Sequence, residues 1–258
     1  MKPVRAFLLF PAILGVFAFL FVFMLRLNAD RQRQLTCAGV KAEFADNREF
    51  VTRADIEAYL KQDYGAYIGQ RLDSVDLKKV EEILNGKSAI RQTEAYTTPD
   101  GFLHVKIYQR EPVVRFQKGN LGCFADERGF LFPLQRNAAL DVPIVDGALP
   151  LDFTAGFKGE PKSKAQREWM TDILAMVAHM NESRVWARNI AQITVEPDGD
   201  LVLVPRQGKE RFLFGKPVEV EEKFARIETY YSAILPAKGA GYYRTVNVKY
   251  HKQIVCRK

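Results

Sequence analysis

The sequence has few of the residues from which catalytic and metal sites are built. It contains three cysteines and three histidines among 258 residues. Cys37, Cys123 and Cys256 are too few for a disulfide scaffold, lack zinc-ligand spacing, and leave at least one thiol unpaired. There is no G-x-S-x-G, H-E-x-x-H or phosphate-loop motif. These absences argue against the common hydrolase, metalloprotease and nucleotide-binding classes.

The histidines and one acidic pair are the remaining candidates for acid–base chemistry. His104, His179 and His251 are isolated, each beside hydrophobic residues, and we expect no carboxylate near them, which favours structural or surface roles. Asp126 and Glu127 fall in an expected hairpin turn, where acids are common and neighbouring side chains diverge. The sequence therefore predicts no enzyme and no catalytic, cofactor or metal site.

The positive charge is concentrated near the amino terminus. The formal net charge is +7, and residues 1–36 carry +4 of it. The remaining 222 residues are therefore close to neutral. This distribution disfavours a broad nucleic-acid-binding face.

One long apolar run stands out. Ala6 to Leu25 contains no charged residue or polar amide. Twenty helical residues span roughly 30 Å, the hydrocarbon thickness of a bilayer. A cleaved signal peptide usually has an apolar stretch of only about 7–15 residues, and 27–29 is a poor cleavage site. We expect a head at 1–5, a transmembrane helix at 6–25 and a polar stalk at 26–36; flanking charges leave its orientation nearly tied.

The next segment has the pattern of a small α+β domain. Asp-Gly between two alternating runs is a strong hairpin signal, and Thr52 precedes a helical stripe as an N-cap should. The predicted order is β-α-α-β-β. The elements are a strand at 40–44, a helix from Thr52 to about Gly65, a helix at 75–85, and strands at 90–97 and 102–109.

The sequence Gln109-Arg110-Glu111-Pro112 predicts a domain junction, because proline removes a backbone donor and restrains its predecessor. Arg110 has two interpretations. It makes a partner or interdomain contact, or it lies over apolar surface at a simple joint. The second is the interpretation we favour.

The remaining chain mixes strands and amphipathic helices. Gly129 is expected in a hairpin turn, and a second hairpin surrounds the turn at 197–200. Helical stripes run from Trp169 to Met180 and from Phe224 to Leu235, the latter ending before Pro236. Strands are expected at 245–250 and near 253–256.

Several local motifs resemble the FtsQ/DivIB family of bacterial cell-division proteins. They are Phe50-Val-Thr-Arg-Ala-Asp-Ile56, Val105-Lys-Ile-Tyr-Gln-Arg-Glu-Pro-Val113, Cys123-Phe-Ala-Asp-Glu-Arg-Gly129 with Phe132-Pro-Leu134, and Val246-Asn-Val-Lys-Tyr250 with Gln253-Ile-Val-Cys256. Each motif is weak alone. Their order behind a single amino-terminal span is more specific.

The resemblance implies a POTRA domain at 37–112 and the family's β domain at 113–258. It also implies an inner-membrane protein with a cytoplasmic amino terminus and a periplasmic body at the division septum. The implied role is a divisome scaffold that binds FtsB and FtsL, small single-span coiled-coil proteins. The segment at 143–164 does not align with the family pattern. A POTRA-bearing transport component is the alternative, although the chain lacks a run of barrel strands.

The final strand motif suggests how a partner docks. Val246, Val248 and Tyr250 alternate with Asn247 and Lys249, so one face should be buried and the other exposed. Exposed strand edges accept added strands, and the resemblance implies this use for a late strand. An internal strand covered by 253–256 is the alternative. The predicted partner-binding residues are Tyr242, Tyr243, Val246, Asn247, Val248, Lys249 and Tyr250.

Overall fold

The computed structural model describes residues 15–26, 35–47, 50–135, 140–183, 186 and 189–258. The chain forms two compact units, the first ending at Gln109 and the second beginning at Arg110. Both combine helices with a β-sheet. The predicted mixed α+β class is therefore confirmed.

Helix α1 comprises residues 15–26. Its large apolar side chains, from Val16 to Leu25, are exposed. Residues 1–14 and 27–34 lie outside the described residues, and so do the predicted head, the first part of the predicted span and most of the stalk. No helix within the described part of the chain combines the length and the apolar character needed to cross a membrane.

The first unit has the predicted β-α-α-β-β order. Its three-stranded sheet has β3 in the centre, parallel to β1 and antiparallel to β2. The elements are β1 (Gly39–Phe44), α2 (Arg53–Tyr59) with a π-helical turn (Leu60–Tyr64), α3 (Leu77–Asn85), β2 (Ile90–Thr97) and β3 (Phe102–Gln109).

Local side-chain contacts explain two of these boundaries. Thr52 Oγ1 accepts from the Asp55 amide at 3.2 Å, while Asp55 Oδ2 accepts from the Thr52 amide at 2.8 Å. This capping box satisfies amides that the first turn of α2 leaves free. In the β2–β3 turn, Asp100 accepts from the Phe102 amide at 3.1 Å, and Gly101 takes a positive φ of 83°. Both predicted signals are confirmed.

The second unit contains a nine-stranded sheet in the order β12-β11-β10-β9-β8-β7-β4-β5-β6. Alternate side chains of its strands form one core with α4 and α5, including Phe116, Ile193, Phe212 and Val246. The elements are β4 (Pro112–Lys118), β5 (Leu121–Asp126), β6 (Leu131–Pro133), β7 (Ile144–Gly147), α4 (Lys164–Glu182), β8 (Ile190–Val195), β9 (Leu201–Pro205), β10 (Arg211–Gly215), α5 (Val220–Thr229) with a π-helical turn (Tyr230–Ile234), α6 (Leu235–Lys238), β11 (Thr245–Asn247) and β12 (Val255–Arg257).

The segment at 143–164, which has no counterpart in the sequence motifs, contributes a strand to the middle of the sheet. Strand β7 lies between β4 and β8 and is parallel to both. Gly147 ends it with φ 88°, and a Cβ there would lie 2.3 Å from the Val195 carbonyl oxygen. Only glycine therefore fits this position.

Two prolines lie at the beginning of an element, and the second corrects an expectation. Pro112 is the first residue of β4 and belongs to the second unit, a position where a strand tolerates a missing donor. The last long helix does not end before Pro236. The π-helical turn is followed by α6, which places Pro236 in a new first turn whose amides need no intrahelical acceptor.

Candidate partner-binding site

The sheet edge near the carboxyl end is formed by β12, not by β11. Thr245–Asn247 pairs with β10 in parallel on one side and with Val255–Arg257 in antiparallel on the other. The expectation that the strand at 245–250 is an edge is therefore wrong. The alternative of an internal strand covered by the last residues is the observed arrangement, because three residues suffice to pair the whole of β11.

The backbone directions in β12 follow from the ladder. The Arg211 amide donates to the Arg244 carbonyl at 2.8 Å and the Val248 amide donates to the Leu213 carbonyl at 3.0 Å, so the N–H and C=O of Val246, which lies between them, face β10. Thr245 and Asn247 then face β12 and pair with Arg257 and Val255. By alternation, the N–H and C=O of Cys256 point to the outer edge. No described strand pairs with that edge.

The opposite edge of the same sheet is covered. The Leu131 amide of β6 donates to the Gly159 carbonyl at 2.8 Å, and the Gly159 amide returns a bond to Leu131 at 2.9 Å. Pro133, also in β6, has no amide proton to offer. Strand β12 is thus the more accessible of the two outer strands that the structure describes in this unit.

The seven predicted contact residues have different surroundings. Val246 and Val248 are fully buried and cannot touch a partner in the folded protein. Tyr242 and Tyr250 are exposed. The amide of Lys249 donates to Asn247 Oδ1 at 3.1 Å, so it offers no free outward donor.

An aromatic group lies beside the end of β12. The rings of Tyr242 and Tyr243 are perpendicular, with centroids 4.8 Å apart. Lys258 Nζ lies 4.4 Å from the Tyr242 ring centroid. The hydrogen bond between Lys258 and Tyr242 lowers the pKa of Tyr242 and raises that of Lys258. The group offers apolar ring surface and a cation, both common in interfaces.

The predicted junction residues are anchored inside their own units. Gln109 is buried; its Oε1 accepts from the Val51 amide at 3.0 Å. Arg110 Nη1 lies 2.7 Å from Asp126 Oδ2, and its guanidinium lies 3.5 Å from the Phe130 ring centroid. These contacts support the interpretation of Arg110 as a structural residue lying over apolar surface.

Two histidines have carboxylate neighbours, contrary to the expectation from sequence. His104 Nε2 lies 3.1 Å from Asp100, and His251 Nδ1 lies 3.4 Å from Glu222. The β2–β3 hairpin brings the first pair together, and folding against α5 brings the second. Glu219, Glu222 and His251 are close enough for a metal, but all are exposed and Glu222 also pairs with Arg226 at 3.6 Å. We interpret the cluster as an ion-pair network.

The thiols are poorly placed for chemistry. Cys37 and Cys123 are buried, Cys256 is partly buried, and all three are free. Burial raises the pKa of Cys123 to about 12 and also raises that of Cys256. Since the thiolate is the reactive form, both cysteines are weak nucleophiles at neutral pH.

Sequence reasoning did not recognise β12 as a docking strand. Its only signal was the short apolar run near 253–256, which was assigned to covering β11 but not to docking. It also missed the buried Glu210, which lies in a loop between strands and belongs to no recognised motif.

Comparison with known families agrees with this architecture. The POTRA-like domain profile matches residues 35–108. The profile described as FtsQ/DivIB, C-terminal related, matches residues 111–257, more than half of the chain. A comparison with curated proteins gives no match. With a POTRA-like unit followed by this carboxy-terminal unit, the chain belongs to the FtsQ/DivIB family of cell-division proteins.

Proposed function

We propose that the protein is a non-enzymatic scaffold of the bacterial division machinery. Its partners are small single-span coiled-coil proteins of the FtsB and FtsL type, held at the septum to help regulate septal cell-wall synthesis. Membership of the FtsQ/DivIB family supports the division role. The observation that carries the docking mode is the outer edge of β12.

We further propose that the apolar segment at 6–25 anchors the protein in the inner membrane. The amino terminus is then cytoplasmic and the body periplasmic. The exposed apolar surface of α1 supports this, since such a surface is costly in water. Basic residues follow the segment, at positions suited to lipid headgroups.

The main-chain groups and side chains exposed at the outer edge of β12 are those that binding by strand addition would use. The partner's main chain would bond to the outward N–H and C=O of Cys256. Val255 is 37% exposed, so its side chain is available to the same strand. Tyr242 and Lys258 flank the edge and can contact the partner's side chains. Val246 and Val248 are buried in the core and hold in place the backbone of β11, with which β12 pairs.

The decisive variant is Cys256→Pro. Proline removes the outward donor but leaves the two inward-facing neighbours paired with β11. We expect Cys256→Pro to abolish capture of an FtsB-type partner, while Cys256→Ala, which keeps the amide, retains it. The measurement is co-purification from dividing cells, with thermal unfolding recorded for both variants. A folded Cys256→Pro protein that captures its partner normally would exclude strand addition at β12.

Crosslinking identifies the partner independently. A photoreactive residue at Val255 should label small coiled-coil membrane proteins. The same residue at Arg128, beside the covered β6 edge, is the matched control and should not. Labelling of an outer-membrane barrel from Val255 would instead support a transport role.

A further inference from the structure

A cavity of about 860 Å³ opens in the second unit between the β9–β10 connection and the π-helical turn. Its size is within the range of small-molecule sites. Charged, hydroxyl and apolar groups meet in it. The lining includes Lys209, Glu210, Tyr231, Leu235, Ala240 and Arg244.

The carboxylate of Glu210 is the unusual member of this set. Glu210 is only 3% exposed. Its Oε2 accepts from the Lys209 amide at 2.9 Å. Tyr231 lines the same cavity, and burial together with the negative charge of Glu210 raises the pKa of the Tyr231 hydroxyl. No ion pair joins it to a cation among the described residues. A buried carboxylate without a cation is costly, so Glu210 is suited to receive a cation from a ligand.

The main chain is arranged around this carboxylate. Gly208 takes a φ of 106°, and a Cβ at that position would lie 2.6 Å from both oxygens of Glu210. The close approach of the backbone therefore depends on glycine. The π-helical turn, a feature frequent at functional sites, contributes Tyr231 to the wall, and Leu235 follows it directly.

The cavity also holds the opposite charge. Lys209 and Arg244 are exposed and line the same space. The backbone of Arg244 is fixed, because its amide donates to Arg257 at 2.9 Å and its carbonyl accepts from Arg211. A simple cation would be repelled by these two side chains, and a simple anion by Glu210. A ligand that carries both a positive and a negative charge can pair with all three of these side chains.

We propose that this cavity binds an α-amino-acid group, with the ammonium on Glu210 and Tyr231 and the carboxylate on Lys209 and Arg244. The ligand's side chain lies against Leu235 and Ala240. This site is independent of partner docking at β12. Free amino acids and cell-wall peptides with a diamino-acid side chain both present such a group.

The test uses the full chain in lipid nanodiscs and isothermal titration calorimetry. The probes are leucine, N-acetyl-leucine, which lacks the ammonium, and leucinamide, which lacks the carboxylate. We expect saturable leucine binding and at least about tenfold weaker binding of both analogues, since each loses a charge-assisted hydrogen bond. A dipeptide of γ-linked glutamate and diaminopimelate is the second arm. Binding tighter than that of leucine identifies cell-wall peptides as the source, and weaker binding identifies free amino acids.

Two variants assign the charges. Glu210→Gln should weaken leucine binding at least about tenfold, whereas Glu219→Gln, an exposed acid outside the cavity, should not. Arg244→Gln should weaken leucine binding but leave leucinamide binding unchanged. This variant provides the test if Glu210→Gln does not fold. Absence of leucine binding, equal binding of the three probes, or full affinity in folded Glu210→Gln would overturn the proposal.

Discussion

Arg110 and Asp126 form an almost completely buried ion pair in the second unit, with 2.7 Å between Nη1 and Oδ2. The other oxygen of Asp126 accepts from the amides of Arg128 and Phe130, each at 3.0 Å. One carboxylate thus fixes both the entry to β4 and the β5–β6 turn.

Breaking this pair should be costly. Asp126→Ala removes the carboxylate that pairs with the Arg110 guanidinium in a buried position and frees two amides, so we expect a loss of about 3 kcal/mol or more in unfolding free energy. Urea unfolding of the second unit measures it. Arg128→Ala is the control: its pair with Glu127 is exposed and 4.0 Å long, and it should cost less than about 1 kcal/mol. Equal losses in both variants would contradict this role of Arg110.

The β2–β3 turn predicts a pH dependence. Contacts with Lys41, then Thr98 and the Phe102 amide, hold the pKa of Asp100 well below its usual 3.8. A carboxylate with a depressed pKa stabilises the fold above its unfolded pKa and loses that contribution as pH falls through the folded pKa. We therefore expect the melting temperature of Asp100→Asn to lie below that of the wild type at pH 5. The difference should narrow below pH 4.

Lys41→Met provides the check on this prediction. It removes the largest cause of the depressed pKa, so in that background the difference in melting temperature at pH 5 should be smaller and should finish narrowing at a higher pH. If the difference in melting temperature between the wild type and Asp100→Asn stays constant down to pH 2.5, the prediction is contradicted.

Val246 should affect partner capture only through the stability of the core, and not through direct contact with the partner. It is fully buried in β11, while Val255 in β12 is 37% exposed. Val246→Ala should cost roughly 2 kcal/mol, and Val255→Ala less than 1 kcal/mol. Partner capture by Val246→Ala should fall only with its folded fraction, measured by thermal unfolding alongside co-purification. A specific binding defect in fully folded Val246→Ala would place it at the interface after all.

Gly147 should be essential for the pairing of β7 with β8. Alanine there meets the Val195 carbonyl and requires a φ of 88°, so we expect a loss of about 3 kcal/mol or more by urea unfolding. Gly156→Ala is the control. It has a φ of 74° but nothing within 4 Å of its Cβ, and should cost about 1 kcal/mol. Similar costs for the two would show that packing against β8 does not matter.

The proposed topology has a direct test. A protease added to intact spheroplasts should digest the body from Gly39 onward, because we expect it outside the cytoplasm. A cytoplasmic marker protein should stay intact in the same sample. Digestion that occurs only after permeabilisation would show the opposite orientation.

Local signals in the sequence were sufficient for the first unit. The Asp100-Gly101 turn, the alternation of Leu103, Val105 and Ile107, and the Thr52 cap each act over a few residues. They predicted the helices and strands there. The consecutive strands β2 and β3 pair as the hairpin predicts, whereas the parallel pairing of β1 with β3 is long-range and does not follow from these local signals.

Long-range pairing limited prediction in the second unit. Strand β7 has only four residues, and its neighbours β4 and β8 are far from it in sequence. The order of β11 and β12 depends on which of the two strands pairs with β10. The alternation of apolar and polar residues cannot determine this. Glu210 lies in a loop, and its burial depends on the π-helical turn contributing Tyr231.

The short β7 has a mechanical consequence. Strands β4 and β7 pair only at Arg115–Ile144 and Phe116–Val145, whereas the neighbouring β4–β5 and β7–β8 ladders pair at six and four positions. A pull applied between the entry to β4 and the outer edge of β12 would cross this narrow seam. Under tension, the sheet should separate there before any of the longer ladders gives way.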